Sequence, residues 1–401
     1  MLKNNIILFD NDARQRLLPL TYTRPVCELR VGILTIREKW EKHLSGEVSY
    51  ITQDYLSDKY DIKVAEMNYI INGAVLPSPE LVSVIKGLRI NQALLHREEL
   101  IAAKLDKTQF EYLMETDEAE EMEGFDAENI PFIRINDLHD IFALNDAAMR
   151  DDFKLLTQGR TSAPISGTNH VINPENIFLE EGASVECSVL NASTGPIYLG
   201  KNAEIMEGCL VRGGLAMCEN STLKMGAKIY GATTIGPWCK VGGEVNNSVL
   251  LAYSNKGHEG FLGNSVLGEW CNIGADSNNS NLKNNYAEVK LWNYATERFE
   301  LTGKQFCGLI MGDHSKCGIN TMFNTGTVVG VSANIYGGGY PRNFIPSFAW
   351  GGASGMSTYK TGKAFDTAEK VMARRGQELS PSERLILLRV FEDSAKFRRW
   401  E

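Results

Sequence analysis

Apolar residues recur at every sixth position along the later half of the chain, from about Val171 to Ile345. With 43% apolar residues, eight consecutive matches in a preset frame have a chance of roughly one in a thousand. One large apolar residue per hexad predicts short strands stacked in coils around a common core. The matching positions are Leu199, Ile205, Val211, Met217, Leu223, Ile229, Ile235 and Val241, then Phe261, Leu267 and Ile273, then Met311, Cys317, Phe323, Val329 and Ile335.

The repeat is interrupted twice, between Val241 and Phe261 and between Ile273 and Met311. Insertions into a stacked repeat form loops on its surface, and such loops often carry the functional site. The second interruption is long enough for a projecting hairpin, which we expect in the segment 289–306.

The N-terminal part has a different pattern, in which short apolar runs alternate with helical periodicity. This alternation predicts an α/β layer domain over residues 1–160, followed by the repeat domain over 161–355 and a helical tail over 356–401. The acidic run from Glu115 to Glu123 predicts a solvated loop or helix face. The individual elements expected are a strand at Ile6–Phe9, a helix at Ile33–His43, a strand at Tyr69–Ile71, a helix at Ser78–Lys86, a helix within Leu138–Leu156 and a final helix at Arg384–Phe397.

Composition narrows the class of protein. A chain of 401 residues predicts two domains, and no apolar run is long enough for a membrane segment. The start of the sequence lacks the pattern of a signal peptide, so we expect a cytoplasmic protein. The net charge of -9 argues against binding of nucleic acid. The eight cysteines are scattered singly and are interpreted as reduced packing residues.

The strongest candidate for chemistry is His258, which follows the first interruption in the stretch Ser-Asn-Lys-Gly-His-Glu-Gly-Phe-Leu-Gly-Asn. A neutral imidazole accepts the proton that an amine loses when it attacks an acyl thioester, so His258 is a candidate general base. The alternative is a structural role, in which His258 caps a loop. This structural role is the better interpretation for His170 and His314, each of which lacks such a neighbourhood.

This stretch, with Asn-Ile-Gly-Ala after it, resembles the acetyltransferase domain of bifunctional N-acetylglucosamine-1-phosphate uridyltransferase / glucosamine-1-phosphate N-acetyltransferase. The match in domain order extends over most of the chain and is similar to a divergent bacterial branch of that family. The resemblance implies a left-handed parallel β-helix of hexapeptide repeats, a homotrimer, and acetyl-CoA as co-substrate bound along the coils. It also implies a small sugar phosphate as acceptor.

The resemblance assigns roles to individual positions. His258 takes the place of the family's base, and Asn272 and Asn281 take the places of sugar-contacting asparagines. Lys228 stands where the family has a phosphate-binding arginine, and Phe261 stands where it has a tyrosine.

Further positions bear on the phosphates. Asn246 replaces a phosphate-binding lysine, and Lys256 either supplies the missing charge or is a solvated loop lysine. Arg342, after three glycines, is a candidate for the phosphates of acyl-CoA, and the alternative is a turn that ends the β-helix.

The N-terminal segment around Arg-Leu-Leu-Pro-Leu-Thr resembles the opening of sugar-phosphate nucleotidyltransferases. One interpretation is a remodelled enzyme in which Arg14, Arg16, Arg24 and Asn72 hold UTP or another nucleotide. Ala74 stands where that family has a magnesium ligand, so Mg²⁺ enters only if the domain is active. The other interpretation is a degenerate domain kept for assembly or weak binding.

Together these observations predict a sugar-phosphate acetyltransferase for nucleotide-sugar synthesis of the cell envelope, with nucleotidyl transfer as a second candidate activity. Two alternatives remain open from the sequence. One is a non-catalytic nucleotide-sugar-binding or trimerisation scaffold. The other is an acyltransferase that acts on a nucleotide-linked amino sugar.

Overall fold

The computed structural model describes residues 4–116 and 122–400, and the chain divides into two compact units. Residues 117–121 of the acidic run therefore lie outside the described residues, while Glu123 begins an exposed strand. The first unit contains residues up to Leu17, Arg24–Leu29 and Leu34–Asn136, and the second contains Leu18–Thr23, Arg30–Ile33 and the chain from Asp137 onward.

The first unit is built on a mixed six-stranded sheet. The strand Asn4–Phe9 runs parallel to both of its neighbours, whereas Met67–Asn72 and Glu99–Asp106 are antiparallel. The predicted α/β class is confirmed. The strands lie in the order Gly46–Ile51, Asn4–Phe9, Met67–Asn72, Glu99–Asp106, Gln92–His96 and Glu123–Asp126, and a separate pair joins Val75–Leu76 to Ile133–Arg134.

Helices flank this sheet, and two of them begin at side-chain caps. The Thr35 hydroxyl accepts a hydrogen bond from the backbone N–H of Glu38 at 3.1 Å, so the helix starts three residues later than the sequence pattern predicts. Ser78 caps the next helix in the same way, through Leu81. The helices are Ala13–Arg16, Ile36–Leu44, Pro79–Gly87 and Lys107–Thr116, with 3-10 turns at Val26–Glu28 and Asp54–Leu56.

From Asp137 onward, the second unit contains the helices Asp140–Ala143 and Asn145–Thr157 and then a parallel β-helix with three faces. Stacked parallel sheets of two- and three-residue strands agree with the predicted left-handed hexapeptide architecture. The first face contains Ile177–Leu179, Ile197–Leu199, Leu215–Met217, Thr233–Ile235, Val249–Leu250, Val266–Leu267, Leu309–Met311, Thr327–Val329 and Phe344–Ile345.

The other two faces complete each coil. The second face contains Ser184–Val185, Glu204–Ile205, Thr222–Leu223, Lys240–Val241, Asn255–Lys256, Asn272–Ile273, Lys316–Cys317, Asn334–Ile335 and Ala349–Gly352, and Gly355–Thr358 extends it by pairing antiparallel with the last of these. The third face contains His170–Ile172, Val189–Asn191, Leu210–Arg212, Lys228–Tyr230, Glu244–Asn246 and Phe261–Gly263, continued by the pair Asn278–Asn279 and Met322–Phe323. A 3-10 turn at Pro174–Asn176 lies in the first coil.

The core of the β-helix follows the predicted hexads. All eight apolar residues from Leu199 to Val241 point inward and are at most 2% exposed. Seven of the eight cysteines are buried free thiols, which agrees with their interpretation as packing residues, and four of them lie in this core, namely Cys209, Cys239, Cys271 and Cys317. Cys187 is exposed, so the interpretation is wrong for that residue.

The prediction of Phe261 as an inward residue is wrong. Leu262 pairs with inward Val245 and is buried, whereas Phe261 is half-buried on the outer surface. The corner from Leu262 to the next inward residue, Leu267, is one residue short of a hexad. Counting back by six from Ile273 therefore misses the inward position by one.

The second interruption contains the predicted hairpin, in which Lys290–Asn293 pairs antiparallel with Arg298–Leu301. Trp292 stacks on Phe344 with ring centroids 4.2 Å apart, so the hairpin packs against the later coils. The tail forms the helices Thr361–Ala373 and Pro381–Asp393 and a 3-10 turn at Ala395–Phe397. Among the described residues, no helix combines the length and apolar composition that a bilayer-spanning helix needs.

Candidate active site

His258 lies on the corner between the second-face strand Asn255–Lys256 and the third-face strand Phe261–Gly263. Its side chain is exposed, and within residues 4–116 and 122–400 its ring has no hydrogen-bond or ion-pair partner. An imidazole in this position has a nitrogen lone pair open to an incoming proton donor. The geometry is therefore compatible with a general base.

Gly242 and Gly243 allow the Gly257–His258 corner to lie directly on the preceding coil, since a Cβ atom at Gly242 would lie 2.7 Å from the carbonyl oxygen of Gly257. That coil is shortened, because Val245 follows inward Val241 after only three intervening residues. A Cβ atom at Gly243 would lie 2.7 Å from the carbonyl oxygen of His258, which backbone atoms do not tolerate. Gly243 also has a φ of +71°, which favours glycine.

Lys256 occupies an inward position of the β-helix, in register with Val241, and is 2% exposed. Its ammonium group donates hydrogen bonds to the carbonyl oxygens of His258 and, at 3.1 Å, of Gly242. Burial lowers the pKa of Lys256 to about 8. Because the Lys256 ammonium group is buried and bonded inside the β-helix, it does not present its charge at the surface. Both interpretations from the sequence, a phosphate ligand and a solvated loop lysine, are therefore corrected.

On the third face, Lys228 reaches toward the His258 corner. Lys228, Glu244 and Phe261 are in register on three successive coils of this face. The Lys228 ammonium lies 3.3 Å from a carboxylate oxygen of Glu259. The lysine predicted to bind phosphate is thus close to the candidate base, and Glu259 partly neutralises it.

Phe261 and Asn281 come together on the same face. A Cβ atom on Gly263 would lie 2.5 Å from the Phe261 ring and 2.7 Å from the Asn281 amide nitrogen, so both groups lie over this glycine. The Asn281 amide donates to Asn264 Oδ1 at 2.8 Å. The Phe261 ring and the Asn281 side chain therefore form one surface beside the corner.

Two predicted ligands lie elsewhere. Asn272 is exposed on the second face, in register with Asn255, so the His258 corner separates it from Phe261. Arg342 is exposed and follows Ile335, which belongs to the third coil after that of His258. At about 4.8 Å per coil, Arg342 is roughly 14 Å further along the axis.

In the first unit, the loop of residues 10–12 between the first strand and the first helix, here called the Asp10 loop, is held by hydrogen bonds to Asp10. Asp10 accepts hydrogen bonds from the Val26 N–H at 2.8 Å and the Thr52 hydroxyl at 2.6 Å, and burial raises its pKa. Arg14 lies 3.4 Å from this carboxylate and donates to Tyr55 Oη at 2.7 Å.

The other predicted nucleotide ligands differ in exposure. Arg24 is buried and Arg16 is exposed. Arg14 and Asn72 are buried and committed to partners within the protein, which does not support their prediction as phosphate ligands.

Asn72 is fully buried and belongs to a network centred on Glu99. Its amide donates to Glu99 Oε1 at 3.1 Å, as does that of Asn11 at 2.6 Å, and its own oxygen accepts from the Ala74 N–H at 2.9 Å. Arg134 pairs with the second oxygen of Glu99. Ala74 is buried and apolar, so this position does not fit magnesium. The described residues contain no cluster of three metal-binding side chains.

Sequence reasoning missed several residues around the corner. Glu259 follows His258 directly, and its adjacency was the available signal. Asn278 accepts a hydrogen bond from the Phe261 N–H at 2.8 Å, and Tyr230 donates to Glu244 at 2.5 Å. Tyr230 follows inward Ile229 within the regular repeat, so its outward position was available from hexad counting, whereas Asn278 lies in the second interruption of the repeat.

Comparison with known proteins gives a match for the N-terminal part of the chain. The family model described as sugar nucleotidyl transferase matches residues 6–161. No curated protein matches the sequence.

Solved structures similar to this chain include three acyltransferases. The polySia-specific acetyltransferase NeuO is 12% identical, with a TM-score of 0.25, covering 52% of this chain and 91% of its own. AntD, an N-acyltransferase from Bacillus cereus solved with dTDP and 3-hydroxybutyryl-CoA, is 12% identical, with a TM-score of 0.22 and coverages of 53% and 87%. The Arabidopsis UDP-N-acetylglucosamine acyltransferase is 14% identical, with a TM-score of 0.23 and coverages of 59% and 99%. At this degree of similarity their substrates say nothing about those of this chain, whose N-terminal part alone is similar to sugar nucleotidyl transferases.

Proposed function

We propose that this protein is an acyltransferase that moves an acyl group, acetyl in the simplest case, from acyl-CoA to the amine of a sugar phosphate. The observation that carries this proposal is the uncommitted, exposed imidazole of His258 on a corner held from inside the β-helix by Lys256. The motif around His258 and its likeness to an acetyltransferase family support it.

The reaction needs one base and one electrophile. The amine nitrogen attacks the thioester carbonyl carbon, the C–S bond breaks, and the thiolate of CoA leaves and takes up a proton. His258 accepts the proton that the amine loses. The amine must be neutral when it attacks, so a base beside it raises the reactive fraction near pH 7.

Phe261 and Asn281 offer an apolar ring and an amide beside the base, which suits a sugar ring and its hydroxyl groups. Lys228 provides a positive charge on the same face. We propose these three as acceptor contacts, with Asn272 on the opposite side of the corner.

The first unit supports a binding or assembly role better than nucleotidyl transfer. Its likeness to sugar nucleotidyl transferases favours a nucleotide-linked ligand, while the hydrogen-bonded Asp10 loop and the buried Ala74 argue against transfer chemistry. A nucleotide-linked amino sugar is therefore the second candidate acceptor. A homotrimer in the cytoplasm remains the expectation from the sequence.

The test is release of free thiol from acetyl-CoA by the wild-type protein, with glucosamine 1-phosphate or a UDP-linked amino sugar as acceptor. Acceptor-dependent release with either compound is the expected result, and the faster one identifies the acceptor class. Absence of release with both, together with no thermal stabilisation by acetyl-CoA, would favour the scaffold alternative.

A further inference from the structure

Two lysines lie side by side on the outer surface of the second face. Lys240 precedes inward Val241 and is in register with Asn255, so its side chain points outward. Lys224 follows inward Leu223, and its N–H donates to Val241 O at 2.7 Å. The Lys224 Cβ lies 3.1 Å from where a Cβ on Gly242 would stand, so the base of this side chain covers the glycine two residues after Lys240, and its ammonium group lies 3.9 Å from Met206 Sδ.

The C-terminal tail brings two arginines to the same place. Arg374 and Arg375 follow the helix Thr361–Ala373, and Arg375 Nη2 donates to Asn255 Oδ1 at 3.2 Å. Asn255 belongs to the strand that leads into the His258 corner. The four cations Lys224, Lys240, Arg374 and Arg375, here called the cation cluster, are thus close enough for the other three charges to act on Lys240, on the face that leads to the candidate base.

The charges of the cation cluster are not paired directly with carboxylates among the described residues. None of its four members forms an ion pair within 4 Å in the part of the chain that the structure describes, whereas Lys228 nearby pairs with Glu259. Burial lowers the pKa of Lys240, and the positive charges of Arg375, Lys224 and Arg374 lower it further, outweighing Glu204. Holding four like charges together costs free energy that a bound anion would recover.

The path from the cluster to His258 is open. Gly257 lies between Asn255 and His258, and a Cβ atom added there would meet no atom within 4 Å. Asn255 and His258 are three residues apart, which is about 10 Å of extended chain. A ligand with a phosphate at the cluster and its reacting group at His258 therefore crosses uncovered backbone.

We propose that Lys224, Lys240, Arg374 and Arg375 bind the phosphate group of a substrate whose reacting atom lies at His258. This inference rests on the proposed acyl transfer and extends it, because the burial of Lys256 leaves Lys228 as the single predicted lysine for phosphate at the corner. A phosphate ester occurs both in a sugar 1-phosphate and in CoA, and the two sources share the chemistry that the cluster recognises.

The test is equilibrium binding, measured by titration calorimetry without turnover. The ligands are CoA with pantetheine as its phosphate-free counterpart, and glucosamine 1-phosphate with glucosamine. The variants are Lys240→Met and Arg374→Met, at a half-buried and an exposed position outside the buried core. Lys201→Met, an exposed lysine on another corner, is the matched control.

We expect each variant to weaken binding of one phosphate-bearing ligand at least tenfold, leave its phosphate-free counterpart unchanged, and reduce the salt dependence of binding. The affected ligand identifies the cluster as the donor or the acceptor site. Unchanged binding of both phosphate-bearing ligands to the variants, or no binding of either to the wild type, overturns the proposal. Cluster-dependent binding without thiol release would contradict acyl transfer and leave the site standing.

Discussion

The ammonium group of Lys256, inside the β-helix, donates a hydrogen bond to the carbonyl oxygen of His258, so an interior side chain holds the corner that presents the exposed imidazole. A charged group in an apolar interior costs free energy, and its two acceptors here are neutral carbonyls. Neighbouring inward positions on this face are apolar, with Val241 before Lys256 and Ile273 after it. The buried lysine is found at the coil that carries His258, which indicates that Lys256 is there to hold the geometry of that corner.

Replacement of Lys256 by methionine tests this role. Lys256→Met keeps the side-chain length but removes the hydrogen-bond donor. Because a hydrogen bond from a charged group is lost, we expect kcat to fall at least about tenfold, with little change in KM. The matched control is Ile273→Met, at the next inward position of the same face, which should keep wild-type kcat. A Lys256→Met enzyme with unchanged kcat would show that the interior bond does not position the base.

The stability of the wild-type protein relative to Lys256→Met should depend on pH. Burial lowers the pKa of Lys256 from its ordinary 10.5 to about 8, so between these values the unfolded chain binds a proton that the folded protein has lost. The free energy of unfolding of the wild type should therefore rise relative to the variant from about pH 8 to 10.5, by at most about 3 kcal/mol. Below pH 8 both states are protonated and the penalty of burial is fully present. Urea unfolding at several pH values measures this, and a difference independent of pH would contradict it.

The register across the shortened coil is tested by a pair of neighbouring substitutions. Leu262 is buried in the core and Phe261 lies outside it, so Leu262→Ala should cost about 2–5 kcal/mol of unfolding free energy and Phe261→Ala clearly less. Phe261→Ala should instead raise KM for the acceptor. Chemical denaturation of both variants decides the point, since a larger loss for Phe261→Ala would place the aromatic ring in the core.

Asn72 should act as a structural residue of the first unit. Its amide is buried and bonded to Glu99 and Ala74, so Asn72→Ala should lower the stability of this unit by about 1–3 kcal/mol. The affinity of the Asn72→Ala protein for UTP should equal that of the wild type. Asp12→Ala, at an exposed position of the loop after the first strand, serves as the control for stability. Weaker UTP binding by a fully stable Asn72→Ala protein would restore its predicted role as a nucleotide ligand.

The sequence predicts the β-helix well because one inward residue per face repeats wherever the corners have equal length, as from Leu199 to Val241. It fails where corners shorten, since the shift that makes Leu262 inward changes the count by a single residue. Lys256 could not be foreseen as an interior residue, because its burial depends on carbonyl acceptors that the Gly242 corner and His258 supply only in the folded coil.

The sequence predicts only part of the candidate site, because some of its residues come together only in the folded protein. His258 stands out because it follows a break in the period, and Glu259 is recognisable only by adjacency. The cation cluster depends on the contact between Arg375 of the tail and Asn255, which is in register with Lys240, and the residues in this contact are far apart in sequence. No local pattern encodes that contact.

The central claim is that His258 is the base of an acyl transfer, and the rate of thiol release by His258→Ala tests it most directly. His170→Ala, an exposed histidine on the third face of the same β-helix, is the matched control. With acetyl-CoA and the preferred acceptor, His258→Ala should lose about 10²–10⁴-fold in kcat while folding normally, and His170→Ala should keep the wild-type rate. Equal rates for the wild type and a folded His258→Ala protein would contradict the assignment.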